Sequence, residues 1–349
     1  MHRDAERNLS IDVLRVIGGL VVMSAHVKLP PWLFQLRNFG APMLVVVSAL
    51  AMQVVHGRQP MDAVAFLRRR LPKLTLQPWA FLAIFFVCAE VAALVAGRSF
   101  PFSRQDVLDS FTFSGGIGYL WIFRVYILVA LITPPMLHLY GAAPSQRAYL
   151  AGVAIVYAVG ELMRVALHAG SEGAYWLETM DDTVFTPLPY VLLFAYGLAL
   201  PRMNDGEVRA VALGSTVVFA VLALAQFVAT GAFVPTQAQK YPPTAYYLSY
   251  AFACIHLVYL ALRDVNVSPR AAPAIVWLSS HMLWIYLWHV LALFAWGVVF
   301  GQPTSPSLLS AVELLVVIGA ATGATWLQLR ASGWWRAGMA GARMRTTDR

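Results

Sequence analysis

Ten long apolar runs constrain this chain more than any other feature of its sequence. A helix needs about 20 mostly apolar residues to cross a hydrocarbon core of about 30 Å, and such runs recur along all 349 residues. Because backbone polar groups cannot stay unpaired in lipid, runs of this length fold as helices. The sequence therefore predicts an all-α, multi-pass integral membrane protein. The predicted spans are residues 11–27, 40–56, 74–96, 119–141, 148–168, 185–200, 208–229, 244–262, 274–300 and 308–329.

No soluble domain is predicted beside these spans. Only 12% of the residues are charged, against about 25% in an ordinary soluble domain, and 59% are hydrophobic. We predict a single membrane domain over residues 1–349, ending in a basic cytoplasmic tail at roughly 330–349. Cys88 and Cys254 both lie in apolar runs, so the sequence predicts neither a disulfide framework nor a thiolate metal cluster.

Lysine and arginine predict the orientation of the helices. If the N-terminus is cytoplasmic, the cytoplasmic segments hold 17 of the 25 basic residues and the opposite side holds five. Because positive loops are retained in the cytoplasm, this bias predicts that both termini are cytoplasmic. The net charge of +8 is divided among short loops, which gives no support for nucleic-acid binding. The five basic residues predicted outside are Lys28, Arg37, Arg98, Arg104 and Lys240.

The first run, "IDVLRVIGGLVVMSAH", carries three ionisable side chains. Such groups cost about 2.5–3.5 kcal/mol each at a bilayer centre, so they must be compensated or used. On a straight helix Arg15 and His26 lie about 20° from eclipsed and about 16 Å apart along the axis. Asp12 is three residues before Arg15 and can pair with it. One polar stripe across the membrane is predicted; the alternative is an interfacial ion pair and a histidine that caps the outer end.

Further polar side chains are predicted at the depth of His26. Tyr119, Trp121 and Arg124 begin the fourth run, and the fifth run carries Glu161 and Arg164 near its outer end. Three-residue spacing puts Glu161 and Arg164 on one helix face, so a mutual salt bridge is favoured over a direct catalytic role.

The remaining histidines predict no metal centre. None belongs to an H-x-x-x-H pair with an acidic partner, the spacing typical of a helical zinc site. His289, in "WIYLWHVLALF", is predicted to be a neutral histidine that a neighbouring helix satisfies, in preference to a functional residue.

Two segments on the predicted outer side are rich in aromatic residues: "SEGAYWLETMDDTVFTPLPY" at 171–190 and "TGAFVPTQAQKYPPTAYY" at 230–247. Aromatic side chains favour the membrane interface, which is the first interpretation. The second is the rim of a site for a polar, hydroxylated ligand.

A basic cluster, "FLRRRLPKL", precedes the third run and contains Arg69, Arg70 and Lys73. It is a positive-inside signal. Guanidinium groups also bind phosphates through forked hydrogen bonds, so the same cluster can dock a cytoplasmic polyanion at the membrane surface.

Taken in order along the ten spans, the motifs resemble those of membrane-bound acyltransferase family 3. Arg15 and His26 match its R/K-x10-H element, and "FGAPMLVVVSAL" resembles its second-helix motif with Ala49 at the usual glycine. "RRRLPK" is similar to its R-x-x-R element, with Lys73 in the last position. "YLWIF" and "WIYLWHV" resemble two further motifs of the family.

This resemblance implies a membrane-bound O-acyltransferase of the inner, cytoplasmic membrane. The family transfers an acyl group, commonly acetyl, from cytoplasmic acetyl-CoA or another acyl-CoA to a hydroxyl of a glycan or lipid-linked saccharide at the outer face, and no metal is expected. The predicted site comprises His26, Asp12 and Arg124 as catalytic residues, Arg15, Arg69, Arg70 and Lys73 as donor-binding residues, and Tyr119, Trp121, Glu161 and Arg164 as acceptor-side residues.

The chemistry is consistent with these residues. A histidine with an ordinary pKa near 6.5 can take the proton of an acceptor hydroxyl, while Arg124 or a tryptophan N–H stabilises the oxyanion. An acyl-histidine intermediate is the alternative. We expect Arg15 and His26 to border one continuous channel with Arg70 at its cytoplasmic mouth. The rival functions are a proton-coupled transporter of a small polar solute, because the same residue types form proton relays, and a non-catalytic membrane scaffold.

Overall fold

The computed structural model describes residues 8–57, 61–170, 175–301, 305–306 and 308–347, with side chains as far as residue 332. Helices joined by short connections make up the described chain. They are α1 (Leu9–Met23), α2 (Pro31–Leu36), α3 (Gly40–His56), α4 (Ala63–Val95), α5 (Arg104–Thr112), α6 (Trp121–Ala142), α7 (Gln146–Gly170), α8 (Tyr175–Met180), α9 (Pro187–Ala199), α10 (Asp205–Thr230), α11 (Ala245–Leu262), α12 (Ala272–Phe300) and α13 (Leu308–Thr347).

The prediction of ten spans is confirmed, because ten helical segments of the described chain are long and apolar enough to cross a membrane. The largest differences from the predicted boundaries are at the starts of the third and sixth spans. The third span is continuous from Ala63, so the basic cluster forms the first turns of α4 instead of a preceding loop. The sixth span begins at Tyr175, because α8 and a π-helical turn at Asp181–Phe185 lead directly into α9. Of the acidic segment predicted outside, residues 171–174 lie outside the described residues.

The centre of the bundle is made by α1, α3, α9 and α12, with α4 and α6 packed beside them. Small residues permit these close contacts, as is usual between membrane helices. A Cβ on Gly19 of α1 would lie 2.3 Å from the sulfur of Met282 on α12, and a Cβ on Gly40 of α3 would lie 2.8 Å from a methyl of Val21. By contrast α7 and α10 lie at the periphery, with most of their apolar side chains exposed to the surroundings.

Ala49, which occupies the position of a usual family glycine, is accommodated by its neighbour. Its side chain is fully buried between α3 and α9. A Cβ on Gly197 of α9 would lie only 2.7 Å from the Cβ of Ala49. The glycine on α9 therefore provides the space that the alanine on α3 takes up, and the two helices keep their close approach.

Several helix ends contact one another at one face of the bundle. The guanidinium of Arg202 lies 5.0 Å from the ring centre of Tyr140, Gln146 donates to the carbonyl of Ala199, and Arg263 pairs with Asp205. We call this side the basic face. It also carries the exposed residues of the basic cluster, and His26 lies toward the opposite face. The basic residues of this side are Arg68, Arg69, Lys73, Arg202, Arg209, Arg263 and Arg270.

The end of α1 positions His26. The helix ends at Met23, and Ser24–His26 form a 3₁₀ turn ahead of an extended Val27 and two prolines, which cannot continue a helix. A 3₁₀ turn advances about 120° and 2.0 Å per residue. His26 is thus about 18 Å from Arg15 along the axis and roughly 80° away around it. The straight-helix prediction of a shared face is wrong for this last turn.

Candidate functional site

His26 lies in a cavity of about 360 Å³ toward the opposite face, which we call the outer cavity. It is formed by the end of α1, the loop around Arg37, the start of α6 and the segment before α11. The outer segment at 230–247 thus supplies part of a polar cavity, which agrees with the second of its two interpretations. The side chains with polar or aromatic groups in the lining are His26, Phe34, Arg37, Asn38, Tyr119, Trp121, Gln237, Lys240, Tyr241, Tyr247 and Tyr286.

A second histidine from a distant part of the chain holds the ring of His26. The Nδ1 atom of His26 lies 2.8 Å from Nε2 of His289, and the two rings stack. Tyr119 packs edge-on against His26 with ring centres 4.8 Å apart. His289 is fully buried on α12, as predicted for a histidine satisfied by a neighbouring helix. Its partner, however, is the residue with the strongest catalytic prediction.

The hydrogen bonds of this pair assign the tautomer of His26. Nδ1 of His289 contacts the backbone carbonyl of Tyr286, which can only accept, so this nitrogen carries the proton. In a neutral ring Nε2 of His289 is then the acceptor, and Nδ1 of His26 must donate to it. The lone pair of His26 is therefore on Nε2. In this tautomer Nε2 is available as a base or as a nucleophile.

Two basic residues of the outer cavity are buried. Arg37 is 7% exposed and Lys240 is 8% exposed. Neither forms a salt bridge within the part of the chain that the structure describes, and Nε and Nη2 of Arg37 have no hydrogen-bond partner there. Burial, and next the positive charge of Arg37, lower the pKa of Lys240 to about 7. Both side chains contact aromatic rings.

Aromatic side chains form the walls around these cations. The guanidinium of Arg37 lies 3.6 Å from the ring centre of Phe34. The ammonium of Lys240 lies 5.6 Å from the ring centre of Trp121 and 5.1 Å from that of Tyr241. Cation–π contacts of this kind partly replace the lost hydration of a buried cation. Rings of this size also offer flat apolar surface to a ligand.

Arg15 and Arg70 line a second cavity of about 290 Å³, on the side toward the basic face, which we call the inner cavity. Arg70 comes from the first turns of α4 and Arg15 from α1, so the two guanidinium groups converge from different helices. Ser48 and Tyr126 add hydroxyl groups to the same lining. The inner cavity therefore presents two cations at its wall together with polar groups.

Asp12 holds Arg15 through a shared serine. Its carboxylate accepts a 2.5 Å hydrogen bond from the hydroxyl of Ser279 on α12 and lies 3.6 Å from Nη1 of Arg15. The same Nη1 donates to Ser279 over 3.0 Å. Asp12 is 4% exposed and does not line either cavity. The predicted pairing with Arg15 is confirmed. Asp12 lies in the first turn of α1, whereas His26 lies beyond the other end of that helix.

The two cavities adjoin, and we call the residues that line both of them the waist. Val22, Ile122 and Tyr286 line both of them. The hydroxyl of Tyr286 donates to the carbonyl of Tyr119 over 2.6 Å, which fixes this ring at the waist. His26 lines the outer cavity and Arg15 the adjoining inner cavity. That the two residues border one continuous channel stays a prediction.

Several predicted site residues lie away from both cavities. Arg124 donates to the carbonyl of Asp182 over 2.9 Å and lines a shallow groove at the surface, so its geometry does not place it beside His26. Glu161 and Arg164 form the predicted salt bridge, at 2.9 Å. Two residues of the basic cluster, Arg69 and Lys73, are exposed on the outside of α4. Tyr119 and Trp121 do line the outer cavity, as predicted.

Sequence reasoning did not select Arg37, Lys240 and Ser279 as site residues. The one sequence feature that set Arg37 and Lys240 apart was their position on the predicted outer side, where few basic residues lie. Ser279 carries no signal, because one serine in an apolar helix is ordinary. Its bond to Asp12 joins residues 267 positions apart.

An all-helical bundle of ten spans with two polar cavities meeting inside it is a multi-pass membrane protein with an internal site. The family model for the acyltransferase domain of acyltransferase family 3 matches residues 8–329, nearly the whole chain. The chain therefore belongs to acyltransferase family 3, as its motifs predicted, and it is a membrane acyltransferase. No curated protein and no solved structure matches the chain significantly.

Proposed function

We propose that this protein transfers an acyl group, acetyl in the simplest case, from cytoplasmic acyl-CoA to a hydroxyl of a glycan or lipid-linked saccharide on the other side of the inner membrane. The observation that carries the proposal is a pair of adjoining cavities that share the waist residues. One is lined by Arg15 and Arg70 toward the basic face, and the other holds His26. The family assignment favours transfer over the transporter and scaffold alternatives.

The inner cavity is suited to an acyl-CoA donor. The nucleotide of CoA carries phosphates, and Arg15 and Arg70 offer fork-shaped donors that match phosphate oxygens. The cavity is too small for the whole donor, so the nucleotide would remain at the basic face while the thin pantetheine arm extends inward. The orientation in which the basic face is cytoplasmic follows from the charge bias of the sequence.

The outer cavity supports the transfer step itself. In the direct route, the acceptor oxygen attacks the thioester carbonyl while Nε2 of His26 takes the hydroxyl proton; the C–S bond then breaks, and the CoA thiolate leaves and takes up a proton. In the covalent route, Nε2 attacks the thioester carbonyl, the C–S bond breaks and the CoA thiolate leaves. The acceptor oxygen then attacks the acyl carbon, the bond from that carbon to Nε2 breaks, and the hydroxyl proton passes to the thiolate. Both routes require the tautomer that His289 selects.

Proteoliposomes test this function. Purified protein is reconstituted with acetyl-CoA on one side of the bilayer and glycans or lipid-linked saccharides of the host on the other. Release of free CoA thiol and an acetyl mass increment on the saccharide are expected together, and only when the donor is on the side of the basic face. Well-folded protein that releases no thiol and acetylates no saccharide would contradict the proposal.

Arg70→Gln is expected to raise the KM for acyl-CoA about tenfold while kcat changes little, since phosphate contacts are equally strong in the ground and transition states. Arg68→Gln is the matched control. It removes the same charge from the same cluster but lies exposed on the outside of α4. Equal KM values for the two variants would return the cluster to a purely topogenic role.

His289→Phe is expected to lower kcat at least about tenfold with the donor KM unchanged, because Nδ1 of His26 loses its acceptor and the ring can turn or change tautomer. His289→Gln keeps an acceptor on a side chain of similar length and should retain more activity. Steady-state kinetics of both variants at matched membrane abundance provide the measurement. Equal losses in both variants would assign His289 to packing alone.

A further inference from the structure

Arg37 and Lys240 place two basic side chains at the wall of the outer cavity, and the proposed transfer chemistry uses neither of them. Both are more than nine-tenths buried. In the described residues no carboxylate pairs with either, and two nitrogens of Arg37 lack any hydrogen-bond partner. The acceptor oxygen Oε1 of Gln237, in the same lining, is also buried without a partner.

An uncompensated buried cation destabilises a fold, and two that repel each other do so more strongly. Aromatic contacts recover only part of the lost hydration. A fold that keeps both charges at one cavity wall is therefore complementary to a negative charge that arrives with a ligand. Without a bound anion, the same two side chains lower the stability of the fold.

We propose that the acceptor carries an oxyanion, a carboxylate or a phosphate, which binds between Arg37 and Lys240 while its hydroxyl lies at His26. This inference rests on the proposed function only in taking the outer cavity as the acceptor site. The acceptor class is then an acidic or phosphorylated saccharide. The unpaired oxygen of Gln237 can accept from another sugar hydroxyl, and the rings of Trp121 and Tyr241 can pack on the sugar face.

The anion belongs to the acceptor and not to the donor for a geometric reason. The donor phosphates are assigned to Arg15 and Arg70 in the inner cavity, on the other side of the waist. One donor cannot occupy both pairs of cations while its thioester lies at His26. The outer cavity, of about 360 Å³, is at the small end of the roughly 300–1,000 Å³ typical of ligand sites. A single charged sugar unit suits that size.

Binding without donor tests the inference separately from transfer. The purified full chain is titrated calorimetrically with three probes that share a sugar ring: methyl glucuronide, glucose 1-phosphate and neutral methyl glucoside. At least one charged probe is expected to bind about tenfold or more tightly than the neutral one, since a charge-assisted hydrogen bond carries that much free energy. The two charged probes distinguish a carboxylate from a phosphate. Equal affinity for all three, or no binding by either charged probe, would overturn the inference.

Arg37→Gln and Lys240→Gln are expected to remove the preference for the charged probe and to leave the neutral probe unaffected. Arg104→Gln, which removes an exposed charge on the same side, should keep the preference. Arg37→Lys retains a positive charge and should retain part of the preference for the charged probe. A preference that persists in both glutamine variants would overturn the inference.

Thermal unfolding distinguishes an anion site from a structural role of Arg37 and Lys240, because the two roles predict opposite changes in Tm. Without ligand, both glutamine variants should melt at the same temperature as the wild type or higher, because an unpaired buried charge has been removed. The charged probe should raise the Tm of the wild type and not that of the variants. A lower Tm in both unliganded variants would show that the cations stabilise the empty fold, which would count against an anion site. Donor-independent binding with no transfer would contradict the proposed function alone.

Discussion

Replacing His26 by alanine is expected to lower acyl transfer at least about a hundredfold, the usual scale of lost acid–base catalysis. His26 is the residue of the outer cavity whose Nε2 carries a free lone pair while Nδ1 is held by His289. Both the direct and the covalent route need that lone pair. Because the side chain sits at the edge of a cavity, its truncation should leave insertion and folding intact. The measurement is CoA release and saccharide acetylation at equal membrane abundance.

His281→Ala is the control for this experiment. His281 lies on α12 like His289, packs at a tilt against Trp277 and contacts the carbonyl of that residue. It does not line the outer or the inner cavity. The His281→Ala variant should transfer acyl groups at the wild-type rate. Comparable rates for the His26 and His281 variants would remove His26 from the mechanism, whatever the family assignment.

Blocking the waist is expected to lower acyl transfer by a similar factor, for a different reason. Val22→Trp places a large ring between the two cavities, so a pantetheine arm from the inner cavity cannot deliver its thioester to His26. Donor binding at Arg15 and Arg70 should persist, because the phosphates do not pass the waist. We therefore expect an equilibrium Kd for acyl-CoA near that of the wild type together with a loss of transfer of about a hundredfold or more.

Leu20→Trp provides the matched control for added bulk. Leu20 is on the same helix, 38% exposed, and absent from the lining of both cavities. Since overpacking typically costs about 1–3 kcal/mol, thermal unfolding of both variants must accompany the kinetics. Transfer by the folded Val22 variant at the rate of the Leu20 variant would contradict a route across the waist, and the donor would then have to reach His26 by another path.

Local sequence features predicted the parts of the site that lie close together in the chain. The pair of Asp12 and Arg15 and the pair of Glu161 and Arg164 are both spaced by three residues, and both salt bridges are present. Helical periodicity is enough to predict such pairs, because neighbours one turn apart share a face in any helix. The same periodicity misplaced His26 relative to Arg15, since α1 changes to a 3₁₀ turn ahead of its prolines.

The contacts that give the site its chemistry join distant positions. His26 and His289 are 263 residues apart, and no periodicity relates them. Arg37 and Lys240 come from connections whose folding depends on hydrogen bonds such as that from Asn38 to Thr236. Arg124 illustrates the opposite error. It begins the same helix as Trp121, but it faces the groove beside Asp182 and not the outer cavity.

By itself the sequence determined the class, the number of spans and the family of this protein, because apolar run length, charge bias and short motifs are properties of neighbouring residues. The tertiary structure alone decided which histidine orients His26, which cations face each cavity, and which residues form the waist between the cavities. Those outcomes depend on how helices pack, where glycines such as Gly19 and Gly197 permit close approach. Packing brings together residues hundreds of positions apart, and no single segment encodes it.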